Sequence, residues 1–204
     1  MLLPRFCLIT NRMLCDNLLY VVEEALRGGV RMIQLREKDL VSREWYHLAV
    51  EMRRLTRKYN ALLIVNDRVD VALSVGADGI HVGKSSLPIP VIKKMISSHK
   101  KMLIGYSSHS LSEVQEVARE GVDWVSFSPI YYTPSKERYG EPQGIDRLKE
   151  VIKAVDIPVY ALGGISIDNI DDVMATGCYG VSLISEIISS KNPYETTLSL
   201  LSHF

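Results

Sequence analysis

Gly76-Ala77-Asp78-Gly79-Ile80 is the stretch on which the fold prediction rests, because two later stretches repeat its layout. These are Gly121-Val122-Asp123-Trp124-Val125 and Gly177-Cys178-Tyr179-Gly180-Val181. In each, a glycine is well placed as the left-handed residue that ends a helix, and a short apolar strand follows at a similar distance. The three stretches therefore predict a chain in which helices and strands alternate.

Short apolar runs bounded by polar or turn residues continue this pattern in both directions along the chain. Eight runs are candidate strands, at residues 6–9, 32–35, 62–65, 79–82, 102–104, 124–127, 159–162 and 180–184. The segments between them have helical periodicity, as in residues 42–59, where apolar side chains recur at steps of three and four. The order of elements is strand then helix, repeated.

Apolar strands that alternate with helices indicate a parallel sheet covered by helices, either a closed barrel or an open doubly wound sheet. Eight units favour closure. An open dinucleotide-binding sheet would carry a glycine-rich turn after its first strand, whereas Thr10-Asn11-Arg12-Met13 stands there. No linker divides the chain, so we predict one α/β domain over residues 1–204, a (β/α)8 TIM barrel with its site at the carboxyl ends of the strands.

Composition limits the partners that this chain can have. The 204 residues include 24 basic and 24 acidic side chains, and no run of lysine or arginine marks a surface for nucleic acid or an anionic membrane. Three cysteines without CxxC spacing indicate neither a disulfide framework nor a thiolate zinc site. With no signal peptide or membrane-spanning run apparent, we predict a cytoplasmic protein with small-molecule partners, and a homo-oligomer is compatible with the sequence.

Polar residues lie at the ends of the second and third strands. They are informative because the residues of a buried strand should be apolar. Gln34, Arg36 and Lys38 alternate along the second strand and could receive an anion, or the cations could instead pair with the neighbouring Glu37 and Asp39. After the third strand come Asn66 and Asp67. Their oxygens suit Mg²⁺ beside a phosphate, although Asp67 could equally be the N-cap of the next helix. His81 and His109 could each be a buried, hydrogen-bonded histidine, the commoner case.

Three later features favour phosphate binding. The long connection at residues 129–144 contains Thr133-Pro134-Ser135-Lys136, which offers two hydroxyls and an ammonium group. Gly163-Gly164-Ile165 follows the seventh strand, and Ser182-Leu183-Ile184-Ser185 lies at the end of the eighth. Barrels of this class often bind phosphate through backbone N–H groups of those two loops.

As an ordered set, several stretches resemble the thiamine phosphate synthase superfamily over nearly the whole chain. They are Gln34-Leu35-Arg36-Glu37-Lys38-Asp39, Val65-Asn66-Asp67-Arg68-Val69-Asp70, Gly76-Ala77-Asp78-Gly79-Ile80-His81-Val82-Gly83, Ser128-Pro129-Ile130 with Thr133-Pro134-Ser135-Lys136, and Ala161-Leu162-Gly163-Gly164-Ile165. The resemblance implies a transferase of thiamine biosynthesis. Such an enzyme joins hydroxymethylpyrimidine diphosphate to a thiazole phosphate or its carboxylate and releases pyrophosphate, with Mg²⁺ as cofactor.

The resemblance also implies a role for each matching residue. Arg36, Lys38 and Lys136 would be the catalytic cations, and Asp67 would bind Mg²⁺. Gln34 and Asn66 would bind the pyrimidine diphosphate, Ser107 would lie near the pyrimidine, Thr133 and Ser135 would bind the thiazole carboxylate and the leaving pyrophosphate, and Gly164, Ile184 and Ser185 would hold the thiazole phosphate.

Two departures from the synthase pattern leave alternatives open. After the fourth strand, Gly83-Lys84-Ser85-Ser86-Leu87-Pro88 lacks a second Mg²⁺ carboxylate and is similar to the thiazole tautomerase branch of the superfamily. That branch, however, has a histidine acid/base after the sixth strand, where this chain has Ser128-Pro129. We predict the synthase, with a metal-independent tautomerase and a non-catalytic binder of thiamine precursors as the alternatives.

Overall fold

The computed structural model describes residues 2–97, 102–133 and 141–204, and its eight parallel strands form a closed barrel in chain order. The strands are β1 Phe6–Ile9, β2 Met32–Leu35, β3 Leu62–Asn66, β4 Gly79–Val82, β5 Leu103–Ser108, β6 Trp124–Phe127, β7 Val159–Leu162 and β8 Gly180–Leu183. Strand β1 pairs with β8, with Phe6 opposite Val181. The predicted (β/α)8 barrel is confirmed.

Helices follow the strands and cover the outside of the barrel. They are α1 Leu18–Arg27, α2 Ser42–Lys58, α3 Val69–Val75, α4 Ile89–Ile96, α5 Leu111–Arg119, α6 Gly144–Ala154, α7 Ile170–Met174, α8 Ser185–Ile188 and α9 Pro193–Leu201, with a short 3-10 helix at Arg12–Leu14. The glycines at the three repeated stretches, Gly76, Gly121 and Gly177, all have positive φ, as predicted for residues that end helices. Among the described residues no helix is long and apolar enough to cross a membrane.

The core has two parts, because alternate residues of each strand face opposite sides of the sheet. Outward-facing residues such as Leu8, Ile33 and Val65 pack against the helices in a large cluster. A smaller cluster fills the barrel interior: Cys7, Ile9, Met32, Ile64, Trp124, Tyr160 and Leu162. The interior is therefore a packed core, and the polar residues near the carboxyl ends of the strands lie above it.

The fifth strand differs from its prediction of residues 102–104, since β5 runs from Leu103 to Ser108. Glycine and serine do not form an apolar run, so hydrophobicity alone ends the strand too early. Gly105 is needed because it is paired with Trp124, whose ring fills the interior. The predicted end of the eighth strand at residue 184 is also wrong, because Ile184 is the N-cap of α8 and lies outside β8.

Replacing Gly105 with alanine should destabilise the barrel strongly. A Cβ atom at this position would lie 2.1 Å from Trp124 Cε2, and the ring is buried in the packed interior, so the strand or the ring must shift. We expect the free energy of unfolding, measured by urea denaturation, to fall by about 1–3 kcal/mol. The control is Gly83→Ala, where the added Cβ would lie 3.7 Å from Ser107 Cβ. Equal stability of the two variants would contradict this account of the core.

Candidate active site

Gln34, Asn66 and Asp67 form one hydrogen-bonded row across the carboxyl ends of β2 and β3. Gln34 Nε2 donates to Asn66 Oδ1 at 3.2 Å, and Asn66 Nδ2 donates to Asp67 Oδ2 at 3.1 Å. Gln34 is buried, whereas Asn66 is half-buried and Asp67 is exposed. Each residue orients the next, so the buried amide supports an exposed carboxylate at the barrel mouth.

Asp67 is held at the mouth and does not cap the following helix. Its backbone has a φ of 60°, in the left-handed region, and its N–H donates to the His81 carbonyl oxygen at 3.0 Å. Helix α3 has Arg68 at its N-cap position, with no hydrogen bond from the capping side chain. The N-cap alternative for Asp67 is therefore wrong. Its second carboxylate oxygen, Oδ1, accepts a hydrogen bond from the Ser86 hydroxyl.

Ser86 stands in the run where the second carboxylate of the synthase pattern is missing. Its Oγ also accepts from the Gly83 N–H at 2.8 Å, so the hydroxyl links the β4–α4 loop to Asp67. A side chain at this position is therefore close enough to share a ligand with Asp67. Lys84 and Ser85, between Gly83 and Ser86, are exposed.

Arg36 and Lys38 lie on the loop after β2, because the strand ends at Leu35. The predicted ladder of alternating side chains on the strand is thus wrong beyond Gln34. Arg36 is half-buried and its backbone N–H donates to Thr10 Oγ1 at 2.9 Å, while Lys38 is exposed. Both cations remain beside the mouth, close in sequence to the row that begins at Gln34.

The carboxylate of Glu37 fixes this loop by hydrogen bonds to residues that follow β1. Its side chain is buried and accepts from the Thr10 hydroxyl at 2.6 Å and from the Arg12 N–H at 3.0 Å. The Glu37 carbonyl oxygen accepts from Trp45 Nε1 at 2.6 Å. Asp39 pairs with the Arg12 guanidinium group. The acidic neighbours that were considered as ion-pair partners for Arg36 and Lys38 therefore bond to the β1 side of the loop.

Ser107 and the two histidines lie on the next part of the mouth beyond β3, with His81 on β4, Ser107 on β5 and His109 directly after β5. Ser107 is half-buried within β5, next to Ser126 of β6 in the strand pairing. His81 is buried, and its Nε2 lies 3.2 Å from Ser126 Oγ. His109 is half-buried, and its Nδ1 lies 2.8 Å from the Ser128 carbonyl oxygen. Both histidines are hydrogen-bonded, as the commoner reading of the sequence predicted.

Gly164, after β7, is in contact with the long connection that follows β6. Its φ is 65°, and a Cβ atom there would lie 2.6 Å from the Tyr132 carbonyl oxygen. Asn169 fixes the turn, because its Nδ2 donates to the Gly164 carbonyl oxygen at 3.0 Å and its Oδ1 accepts from the Ser166 N–H at 2.9 Å. A glycine is therefore required here by the positive φ and by packing against the connection.

The remaining predicted residues differ in how far the structure describes them. Thr133 is half-buried at the start of the long connection, whereas Ser135 and Lys136 lie outside the described residues. Ile184 is half-buried at the N-cap of α8, and Ser185 is the exposed first residue of that helix. The loops after β7 and β8 thus meet the mouth at the places that the barrel architecture predicts.

Sequence reasoning missed the residues that hold this site in place. The sequence indicates Glu37 only as a possible ion-pair partner, and it assigns no part in the site to Thr10 or Asn169. A buried carboxylate leaves little trace in a sequence, because acidic residues in loops are usually exposed. Asn169 offers a signal that could have been used, since asparagine three residues after Ser166 suits a side-chain hydrogen bond to the backbone of a turn.

Burial raises the pKa of the Glu37 carboxyl above its usual range, and the hydrogen bonds from Thr10 and Arg12 oppose this shift. A carboxyl whose pKa is higher in the folded state stabilises the protein below its unfolded pKa, and this contribution is lost as pH rises through the folded value. Wild type should therefore lose stability relative to Glu37→Gln as pH rises through the range that begins at the ordinary glutamate pKa of about 4.3. Denaturant titrations of both proteins across that range measure the difference. A wild type that gains stability relative to the variant with rising pH would contradict the direction of the shift.

The chain is similar to known proteins along almost all of its length. The family model described as "Thiamine monophosphate synthase" matches residues 6–187. A protein of Geobacter sulfurreducens named putative thiamine-phosphate synthase is 49% identical over 185 residues, which cover 91% of this chain and 86% of the relative. The putative thiamine-phosphate synthase 2 of Aquifex aeolicus is 46% identical over 184 residues, covering 90% of this chain and 97% of the relative.

A solved structure gives the same result for the fold. The thiamine phosphate pyrophosphorylase from Pyrococcus furiosus superposes with a TM-score of 0.90 at 36% identity, covering 98% of this chain and 94% of the other. Together with the family match over residues 6–187, this similarity shows that the chain belongs to the thiamine monophosphate synthase family.

Proposed function

We propose that this protein is a transferase that couples hydroxymethylpyrimidine diphosphate to a thiazole phosphate or its carboxylate, releasing pyrophosphate. The observation that carries the proposal is the hydrogen-bonded row of Gln34, Asn66 and Asp67 beside the loop that bears Arg36 and Lys38. This arrangement brings two amides, a carboxylate and two cations to one edge of the mouth. Membership of the family supports the same activity.

The departure of a diphosphate group explains why this set of residues is useful. Negative charge grows on the leaving diphosphate as its bond to the pyrimidine methylene breaks. Arg36 and Lys38 would stabilise that charge, and Lys136 would do so from the connection after β6. Amide N–H groups of Gln34 and Asn66 would orient the substrate, since both amides are already fixed by hydrogen bonds. The thiazole nitrogen then attacks the methylene carbon.

Asp67 fits a Mg²⁺ ion that is bound mostly through the substrate. Mg²⁺ commonly takes one or two protein carboxylates together with phosphate oxygens, and each Asp67 oxygen keeps a lone pair beside the hydrogen bond that it accepts. Among the described residues no three acidic, histidine or cysteine side chains cluster in a way that could hold a metal ion. When bound, Mg²⁺ would neutralise part of the diphosphate charge. We expect weak binding to the free protein.

The thiazole substrate would bind on the side of the mouth formed by β6 to β8. Thr133 and Ser135 would contact its carboxylate and the leaving pyrophosphate, and Gly164, Ile184 and Ser185 would hold its phosphate. Ser107, on β5, would lie near the pyrimidine of the first substrate. Gly164 lies in the turn after β7, whereas Ile184 and Ser185 are the N-cap and first residue of α8. Backbone N–H groups at such positions bind phosphate without a charged side chain. The partners are therefore two phosphorylated small molecules. One domain over residues 1–204, a cytoplasmic location and a homo-oligomer stay predictions.

A metal-independent tautomerase is the second candidate function. The observation that favours it is the pairing of Ser86 with Asp67, because a hydroxyl stands where the synthase pattern has a carboxylate. The tautomerase would move protons on a thiazole carboxylate phosphate without diphosphate chemistry. A protein that binds both thiamine precursors tightly and converts neither would instead be a binder.

Removing Arg36 or Lys136 should slow the transferase reaction. Each cation stabilises charge on the departing diphosphate, so we expect Arg36→Ala and Lys136→Ala each to lower kcat by at least about tenfold. The rate of pyrophosphate release, with thiamine phosphate identified by mass spectrometry, measures the effect. Lys153→Ala, which removes an exposed lysine of α6, is the control. Wild-type kinetics in both site variants would show that these residues do not have the proposed role.

Restoring the missing carboxylate should strengthen the use of Mg²⁺. Ser86→Asp would place a second carboxylate beside Asp67, so the half-saturating Mg²⁺ concentration for product formation should fall by at least about threefold. Ser85→Asp adds the same charge at an exposed neighbouring position and serves as the control. An equal shift in both variants would indicate a general charge effect. Should wild type make no thiamine phosphate at any Mg²⁺ concentration while isomerising the thiazole in a chelator, the tautomerase takes the place of the synthase.

A further inference from the structure

His109 lies immediately after β5 and is hydrogen-bonded to Ser128, the residue between β6 and the long connection. Its Nδ1 is 2.8 Å from the Ser128 carbonyl oxygen and 3.4 Å from Ser128 Oγ. A carbonyl oxygen can only accept a hydrogen bond, so Nδ1 must carry the proton. Ser128 is fully buried, so loss of this donor would cost its carbonyl oxygen a hydrogen bond that water cannot readily replace.

The support beneath His109 is itself fixed by side chains. The Glu113 carboxylate accepts from the His109 backbone N–H at 2.7 Å and from the Tyr106 hydroxyl at 3.3 Å. The Glu113 N–H in turn donates to Ser110 Oγ, the N-cap of α5, at 3.2 Å. These hydrogen bonds link Glu113 to both residues that precede α5, and they fix the backbone at the start of the helix. The imidazole ring therefore projects from a rigid base toward β6.

Backbone hydrogen bonds link the residues that follow Ser128 to the end of the connection and to β7. The Gln143 N–H donates to the Pro129 carbonyl oxygen at 2.7 Å, which ties the end of the connection to its start. The Ile130 N–H donates to the Leu162 carbonyl oxygen at 3.0 Å, and the Tyr131 N–H donates to the Gly163 carbonyl oxygen at 3.0 Å. These two bonds tie the start of the connection to the end of β7. A displacement of Ser128 would therefore also displace Tyr131 and the turn at Gly163 and Gly164 that it contacts.

We infer that His109 is a positioning residue that sets the base of the β6–α6 connection against the glycine turn after β7. It acts through its Nδ1–H group, and the site that depends on it is the phosphorylated thiazole side of the mouth. This assignment rests on the proposed function only for the identity of that ligand. The role itself follows from the contacts of His109 with Ser128 and Glu113.

Two amide variants separate positioning from proton transfer. His109→Asn puts an amide nitrogen where Nδ1 lies and keeps the donor to Ser128, whereas His109→Gln puts one near Nε2 and loses that donor. We expect the KM for thiazole phosphate to rise by at least about tenfold in His109→Gln and His109→Ala, and by less than about threefold in His109→Asn. The KM for the pyrimidine diphosphate should change little. His47→Ala, at an exposed position on α2, is the control.

A second readout does not depend on catalysis. Amide hydrogen exchange at Ile130 and Tyr131, measured on the whole protein without substrates, should quicken in His109→Ala and His109→Gln and stay at the wild-type rate in His109→Asn. Exchange that is unchanged in every variant overturns the proposal, whether or not the protein makes thiamine phosphate. Activity retained by His109→Gln and lost in His109→Asn also overturns it, because Nε2 would then be the group that acts.

Discussion

Closure of eight parallel strands into one barrel is the constraint on which the rest of this structure depends. Pairing of β1 with β8 leaves no open edge, and parallel strands bring all their carboxyl ends to one face. Residues that are far apart in the chain, such as Gln34 and Asn66, can therefore hydrogen-bond directly. The interior below them is packed with side chains, so the barrel is not a pore, and active sites of this architecture lie at the carboxyl ends of the strands.

The mouth is built from exposed functional groups, each held by a buried or backbone-bonded neighbour. Glu37 fixes the loop that bears Arg36 and Lys38, and Asn169 fixes the turn at Gly164. His109 does the same for the connection after β6. Charged side chains that bind phosphate must stay accessible, and accessible side chains are mobile unless the backbone beneath them is fixed. Buried polar contacts provide that rigidity here.

How much the sequence revealed differs between the core and the site. Most strand positions followed from apolar runs, because a buried parallel strand must be apolar on both faces. Strand β5 was predicted too short since Gly105, Ser107 and Ser108 are not apolar, although the small residue at Gly105 is what makes room for Trp124. The position of candidate site residues at strand ends followed from the architecture. The resemblance to a family supplied their roles.

The supporting contacts that join different strands could not be read from the sequence, because their residues are far apart along the chain and carry no local signal. Thr10 meets Glu37 across two strands, and Ser86 meets Asp67 across the β3–β4 boundary. Such pairs become visible only when the barrel closes and sets the register between strands. The pairing of Ser86 with Asp67 also gives the missing carboxylate a definite place, which the sequence could only indicate as a gap in a motif.

We propose that the diphosphate and its metal ion meet at the row formed by Gln34, Asn66 and Asp67. The most direct measurement is a crystal structure of the protein soaked with Mn²⁺ and pyrophosphate, with the metal located by anomalous scattering. We predict one metal ion bound by Asp67 and by diphosphate oxygens, at about 2.0–2.2 Å, with Arg36 in contact with the diphosphate. Pyrophosphate bound only at the Gly164 and Ser185 loops, with no metal at Asp67, would contradict the account.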